Sequence, residues 1–284
     1  TDEFIELLHN ISSQIGVAWR NDAQTARLIE ARQHERELQI AKTIQLGLLP
    51  TEIPDTPGFS TAGLCIPARQ VGGDYYDFFL RRNRHFDAVI ADVSGHNIGA
   101  SLIMAETRTL IQAGRHRDQG PSELMSSLNE FFYDDLTRSE LFISMFYLSI
   151  EVASRTIRYV NAGHNRPLLW RLATDQCDVL DSEGMILGIK PQMVFEEKVT
   201  KMAAGDILLL YTDGVTEAES ADGDFFGDER LAAILGSCRD LTPQQTIDQI
   251  LEQVRLFTGR HNFSDDVSLV VIKAENLPRK NRAL

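Results

Sequence analysis

Carboxylates recur at the ends of apolar runs in this sequence. Asp74 and Asp77 lie in VGGDYYDFF, Asp92 follows FDAVIA and opens DVSGHN, Asp213 follows ILLLYT and opens DGV, and Asp265 and Asp266 precede VSLVVI. Each stands beside a glycine or a polar turn. A carboxylate at a strand end reaches a sheet edge and needs a partner there, and several that converge repel one another unless a cation intervenes. Oxygen donors without paired cysteines suit a hard divalent cation, magnesium or manganese. Zinc fits less well, because the seven histidines show no HExxH-like spacing and only His96 and His164 fall inside motif-like segments. One such aspartate, taken alone, reads as a turn or cap residue. Four cases of one grammar, an apolar strand followed by Asp with Gly nearby, read together as a shared metal site.

These carboxylates need a sheet framework to bring them together. Strand patterns fall at 59–66, 86–91, 142–150, 156–160, 168–172, 177–180, 194–199, 207–211 and 267–272, with 142–150 and 156–160 forming a hairpin. Helical patterns fall at 98–114, 122–136, 228–235 and 242–258, and Pro121 and Pro243 sit at helix starts, where proline is tolerated. Strands in runs with grouped helices predict an α+β fold of two packed antiparallel sheets flanked by helices.

The first 49 residues differ. No proline precedes Pro50, and the early glycines are Gly16 and Gly47. Phe4, Leu8, Ile11, Ile15, Ala18, Asp22, Thr25 and Ile29 keep a 4-3 spacing, and Leu38, Ala41, Gln45 and Leu48 form a second seam after a stutter near 28–32. A continuous helix over this stretch is roughly 70 Å long. A narrow stripe on so long a helix suits a coiled-coil linker that dimerises and carries a signal. The plainer alternatives are an amphipathic helix packed on its own domain, or one broken midway. Pro50, Pro54, Pro57 and Gly58 mark the boundary, which divides the chain into a helical linker (1–49), a catalytic domain (50–275) and a basic tail (276–284).

Composition narrows the function. The net charge of −13 argues against a nucleic-acid binder and against an anionic-lipid surface binder. Cys65, Cys177 and Cys238 lie far apart with no CxxC pair, which fits a reducing, cytoplasmic setting. No apolar run approaches the ~20 residues of a membrane span. The sequence starts at Thr1 without a signal-peptide pattern and reads as a piece of a longer protein.

The segments VGGDYYDFF, ADVSGHNIGASLIMAETR, NAGHNRPLLW, LLLYTDGVTEAES and SDDVSLVVI, in this order, resemble the motifs of the metal-dependent PPM-type serine/threonine phosphatases. The similarity is greatest to the bacterial SpoIIE-like branch, which acts on stress-response and sporulation regulators. AKTIQLGLLP resembles the lead-in of that branch, and the opening segment resembles the last helix of a GAF sensor domain. The resemblance implies an α-β-β-α sandwich with two divalent cations, manganese or magnesium, in a cleft at one end of the sheets.

Carried over by residue, the resemblance implies that Asp74 binds one metal, that Asp92 bridges both and that the Val93 carbonyl completes the first. Asp213 and Asp265 hold the second. Asp265 is preferred to Asp266 because the first Asp of the family's DD pair is usually the ligand; Asp266 then orders the turn, and Asp77 is structural. Asp92, Asp213 and Asp74 are the catalytic set. Such a cation pair activates water for in-line attack on a phosphoserine or phosphothreonine ester, and His96 or His164 could protonate the leaving oxygen. The implied partner is a phosphorylated STAS-type anti-sigma-factor antagonist, with a homodimer formed through the N-terminal helices. The alternative is a pseudophosphatase that sequesters a regulator without turnover. One departure is Asn97, where many relatives have Gly after SGH; Asn tolerates left-handed backbone angles, so the loop can keep its shape.

Overall fold

The computed structural model describes residues 2–81, 83–95, 97–114 and 119–275. His96 and the tail 276–284 lie outside the described residues, as do several α1 side chains, among them the seam positions Phe4, Leu8, Ile11 and Ile15.

Helix α1 (Asp2–Leu48) is unbroken, as expected of a stretch without proline and nearly without glycine. The chain divides into two compact units, Thr1–Ile44 and Gln45–Leu284, so the last turn of α1 belongs with the larger unit. In the smaller unit Trp19, Leu28 and Ile29 are exposed.

The larger unit is built on two antiparallel five-stranded sheets. The first comprises β1 (Phe59–Ile66), β6 (Leu168–Arg171), β7 (Gln176–Val179), β9 (Ile207–Tyr211) and β10 (Val267–Ala274), in the order β1-β10-β9-β6-β7. The second comprises β2 (Tyr75–Leu80), β3 (His85–Val93), β4 (Ile143–Glu151), β5 (Thr156–Ala162) and β8 (Lys198–Lys201), in the order β2-β3-β4-β5-β8. Helices α2 (Ile98–Gly114) and α3 (Pro121–Ser139) cover the second sheet. Helices α5 (Gly227–Ser237) and α6 (Pro243–Thr258) cover the first. The expected α-β-β-α sandwich is thus observed.

Side-chain alternation sorts the layers. Ile90, Phe146 and Tyr159 lie on one face of the second sheet, and Tyr76 on that face passes beneath Gly63 of β1. A Cβ at Gly63 would stand 2.4 Å from the Tyr76 ring, so glycine there sets the close approach of the sheets. Leu209, Leu269 and Val271 face outward from the first sheet and pack with Leu231, Ile247 and Ile250 of the covering helices. Helix α6 starts on a capping box, with Thr242 Oγ1 accepting from the Gln245 N–H and Gln245 Oε1 accepting from the Thr242 N–H.

Three details depart from the sequence reading. Strand β2 was not anticipated, because YYDFFL is apolar on both faces apart from Asp77 and lacks the alternation that marks a half-exposed strand. The strand expected at 194–199 begins only at Lys198. The preceding residues form a loop pinned by buried Phe195, whose carbonyl accepts from Ser122 Oγ at 2.7 Å. Directly after β9 the chain forms a short helix, α4 (Asp213–Thr216).

Candidate metal centre

The ends of β3, β9 and β10 and the start of β2 bring the aspartates of the sequence motifs to one end of the sandwich. Asp74 immediately precedes β2 and is buried; Thr212 Oγ1 donates to its Oδ2 at 2.9 Å. Asp92 is the penultimate residue of β3, opposite Ser144 of β4. Asp213 opens α4 and is half-buried, whereas Asp265 is exposed just ahead of β10. The Asp265 carboxylate accepts from the Asp266 N–H at 2.8 Å.

Asp266 binds the loop before β2. Its two oxygens accept from the N–H groups of Ala68 and Gly73, each at 2.8 Å. Gly73 in turn backs the β3 end: its carbonyl accepts from the Val93 N–H at 3.3 Å, and a Cβ there would fall 2.2 Å from the Val93 carbonyl and 3.1 Å from Asp92 Oδ1. Gly214 approaches the Asp266 carbonyl just as closely, at 2.0 Å for a Cβ. Two glycines therefore let two loops close on the carboxylate cluster.

These carboxylates act on one another. Burial, followed by repulsion from Asp213, Asp265 and Asp266, raises the Asp92 carboxyl to about 8. Burial and then the charges of Asp92 and Asp266 hold the Asp74 carboxyl well above its ordinary value. Burial, Asp265 and Glu217 raise Asp213. Desolvation and like-charge repulsion together are relieved by a hard cation, and the donors on offer are all oxygen. Among the described residues no three His, Cys, Asp or Glu side chains form a finished cage. Magnesium does not require one, since it keeps several waters and takes one or two carboxylates. The donor set therefore fits the divalent cations that the motifs imply.

The profile of the Stage II sporulation protein E (SpoIIE) family matches residues 82–275. The chain belongs to the SpoIIE family. Among curated relatives, "Phosphoserine phosphatase RsbU" of Bacillus subtilis (strain 168) is 26% identical over 269 residues, covering 95% of this chain and 78% of RsbU. "Phosphoserine phosphatase RsbP" of the same organism is 27% identical over 241 residues, covering 84% of this chain and 58% of RsbP. Among solved structures, the SiaA-PP2C domain of Pseudomonas aeruginosa superposes with a TM-score of 0.73 at 17% identity, covering 85% of this chain and 97% of that one. The fold is thus that of PP2C-type phosphatases, and membership of the SpoIIE family makes the chain a protein-serine/threonine phosphatase by class.

Three other motif residues of this SpoIIE-family chain have clear structural roles. His164 is buried, its Nδ1 paired with Ser144 Oγ at 2.7 Å. Asn161 locks the same turn, its Oδ1 accepting from the His164 N–H at 2.7 Å and its Nδ2 donating to the His164 carbonyl at 2.9 Å. Burial lowers the imidazolium of His164 to about 4, so at neutral pH the ring is uncharged and serves as a hydrogen-bond partner of Ser144, which stands opposite Asp92. Asn97 stands directly before α2. Its Oδ1 accepts from the Ala100 N–H at 3.0 Å and caps α2, which is the physical reason asparagine serves there.

The sequence reading missed Thr212 and Gln45. Gln45 carried only a seam position on α1, yet it bonds to Gly72 across the chain. A polar residue within an apolar seam was the available signal. Asp77 turns away from the centre toward α2, where it accepts from Tyr75 Oη at 2.9 Å and from Gln112 Nε2 at 2.7 Å.

Proposed function

We propose that the chain hydrolyses phosphoserine or phosphothreonine on a regulatory protein, with Asp74, Asp92, the Val93 carbonyl, Asp213 and Asp265 holding two divalent cations, manganese or magnesium. When bound, such cations supply a water of lowered pKa and shield the phosphate charge. The chain's own part is positional. Thr212 orients Asp74, Gly73 backs Asp92 and Val93, and Asp266 fastens the loop before β2. Asp92, Asp213 and Asp74 form the catalytic set. The observation that carries this reading is the convergence of the motif carboxylates at one end of the sandwich, where Gly73 packs against Val93 and Asp92 and is bound by Asp266, and Thr212 holds Asp74. All four carboxylates that the resemblance requires are present, which favours turnover over the pseudophosphatase alternative.

The substrate we infer is a phosphorylated STAS-type anti-sigma-factor antagonist, handled in the cytoplasm. Activity is regulated through α1, which forms a homodimer along residues 1–49, ahead of a catalytic domain at 50–275 and a basic tail at 276–284. Exposed Ile29 on the 4-3 seam, with Leu28 beside it, supports a helix that pairs with another. The bond from Gln45 to Gly72 supports a route from the helix end to the metal loop.

Hydrolysis of p-nitrophenyl phosphate with and without manganese tests the reading. Turnover should require the metal, and Asp213→Asn should abolish it while circular dichroism stays unchanged. A folded protein that shows no metal-dependent turnover would favour sequestration.

A further inference from the structure

We propose that Gln45 is a positioning residue for the metal centre: its carboxamide holds the Gly72 backbone extended and so sets how well the adjoining loop presents Asp74, Asp92 and the Val93 carbonyl to a cation. This rests on the metal-dependent reading above.

Gln45 is buried in the last turn of α1. Its Nε2 donates to the Gly72 carbonyl at 2.5 Å and its Oε1 accepts from the Gly72 N–H at 3.0 Å. Both partners belong to one residue. The N–H and C=O of one residue point the same way only where the backbone is extended, as in the hydrogen-bonded pair of an antiparallel ladder. The carboxamide therefore acts as a strand partner one residue long. A seam residue that only packed would be apolar, since burying an amide is costly unless it is hydrogen-bonded.

Gly72 has little freedom elsewhere. It does not use positive φ; it is glycine because a Cβ would stand 1.9 Å from Asp266 Oδ2. Gly73 follows, tied to Asp266 through its N–H and to Val93 through its carbonyl. Asp74 comes next, held by Thr212. A rotation at Gly72 thus reaches the backing of Asp92 and the seat of Asp74 within two residues. Residues that orient ligands from behind typically alter metal affinity by about 10–100-fold when changed.

Two variants of the whole chain test this. Gln45→Met keeps the side-chain length and removes both bonds. Gln45→Glu keeps the acceptor for the Gly72 N–H and sets an oxygen against the Gly72 carbonyl. Manganese binding is measured by titration calorimetry, amide exchange at residues 70–74 in chelator, and p-nitrophenyl phosphate turnover against manganese concentration. Both variants should bind manganese about tenfold or more weakly and exchange faster at 72 and 73. Saturating manganese should restore turnover with the KM for the aryl phosphate unchanged. An unaltered manganese affinity in either folded variant overturns the proposal, even if the melting temperature falls, because that marks a purely structural role. If Gln45→Met does not fold, Gln45→Glu decides. Failure of the wild-type chain to bind manganese would instead bring down the metal-dependent reading, and this proposal with it.

Discussion

Thr212 joins the two sheets through one hydroxyl: its Oγ1 donates to Asp74 Oδ2 at 2.9 Å and accepts from the Ser268 N–H at 2.9 Å. Asp74 leads into one sheet and Ser268 belongs to β10 of the other. Thr212→Val keeps the shape and removes the hydroxyl, leaving a buried N–H and a buried carboxyl short of a partner. It should destabilise the protein by about 1–3 kcal/mol, read from urea denaturation, and should weaken manganese binding. Wild-type stability in the variant would show that the hydroxyl bridge contributes nothing.

The pH dependence follows from Asp92. Its carboxyl is raised in the folded chain from 3.8 to about 8, by burial first and then by Asp213, Asp265 and Asp266. Between these values the folded chain keeps a proton that the unfolded chain has released. This contribution to stability is fully present below the lower value and is lost as pH rises through the upper one. Chelated protein should therefore lose stability steadily from pH 5 to pH 8, and Asp92→Asn should flatten that slope. Manganese should restore stability at pH 8, where binding has less of the proton to displace than at pH 5. A chelated wild-type protein equally stable at both pH values would refute the account.

Asp265 and Asp266 are neighbours with different work. The Asp266 carboxylate is spent on the N–H groups of Ala68 and Gly73, while Asp265 is exposed at the cluster. Asp265→Asn should cut manganese affinity by about 10–100-fold with little change in melting temperature. Asp266→Asn should chiefly lower stability, by about 1–3 kcal/mol, because one of its two acceptors becomes a donor facing an N–H. Calorimetric titration and thermal denaturation of the two variants separate the roles; the reverse pattern would exchange the assignment.

The first helix carries the dimer prediction. Ile29, on the 4-3 seam, and Leu28 beside it are exposed at 55% and 61%, apolar surface that a partner helix would cover. The whole chain should sediment as a dimer, and the combined change Leu28→Glu with Ile29→Glu should shift it toward monomer at micromolar concentration. A dimer that survives the double change would place the contact elsewhere.

Local pattern was enough for most elements. β3, β4, β5, β9 and β10, and the helices α2, α3, α5 and α6, follow from apolar periodicity and from proline and capping positions, because each signal is contained within a few residues. β2 escaped because a strand buried on both faces does not alternate. The shift of β8 escaped because Phe195, apolar and strand-like in sequence, is drawn down as a loop anchor by Ser122 of α3, a contact made far along the chain.

The sequence by itself determined which carboxylates belong together, since five motifs in fixed order carry that information in residue type and spacing. It also determined that a long helix precedes them. Only the tertiary structure decided how those carboxylates are held: Thr212 on Asp74, Asp266 on the loop before β2, Gln45 on Gly72, and His164 uncharged beside Ser144. The reason is physical. A carboxylate's identity is a local chemical property, but its orientation and proton affinity depend on burial and on hydrogen-bond partners that arrive from distant segments, and those appear only when the sheets close.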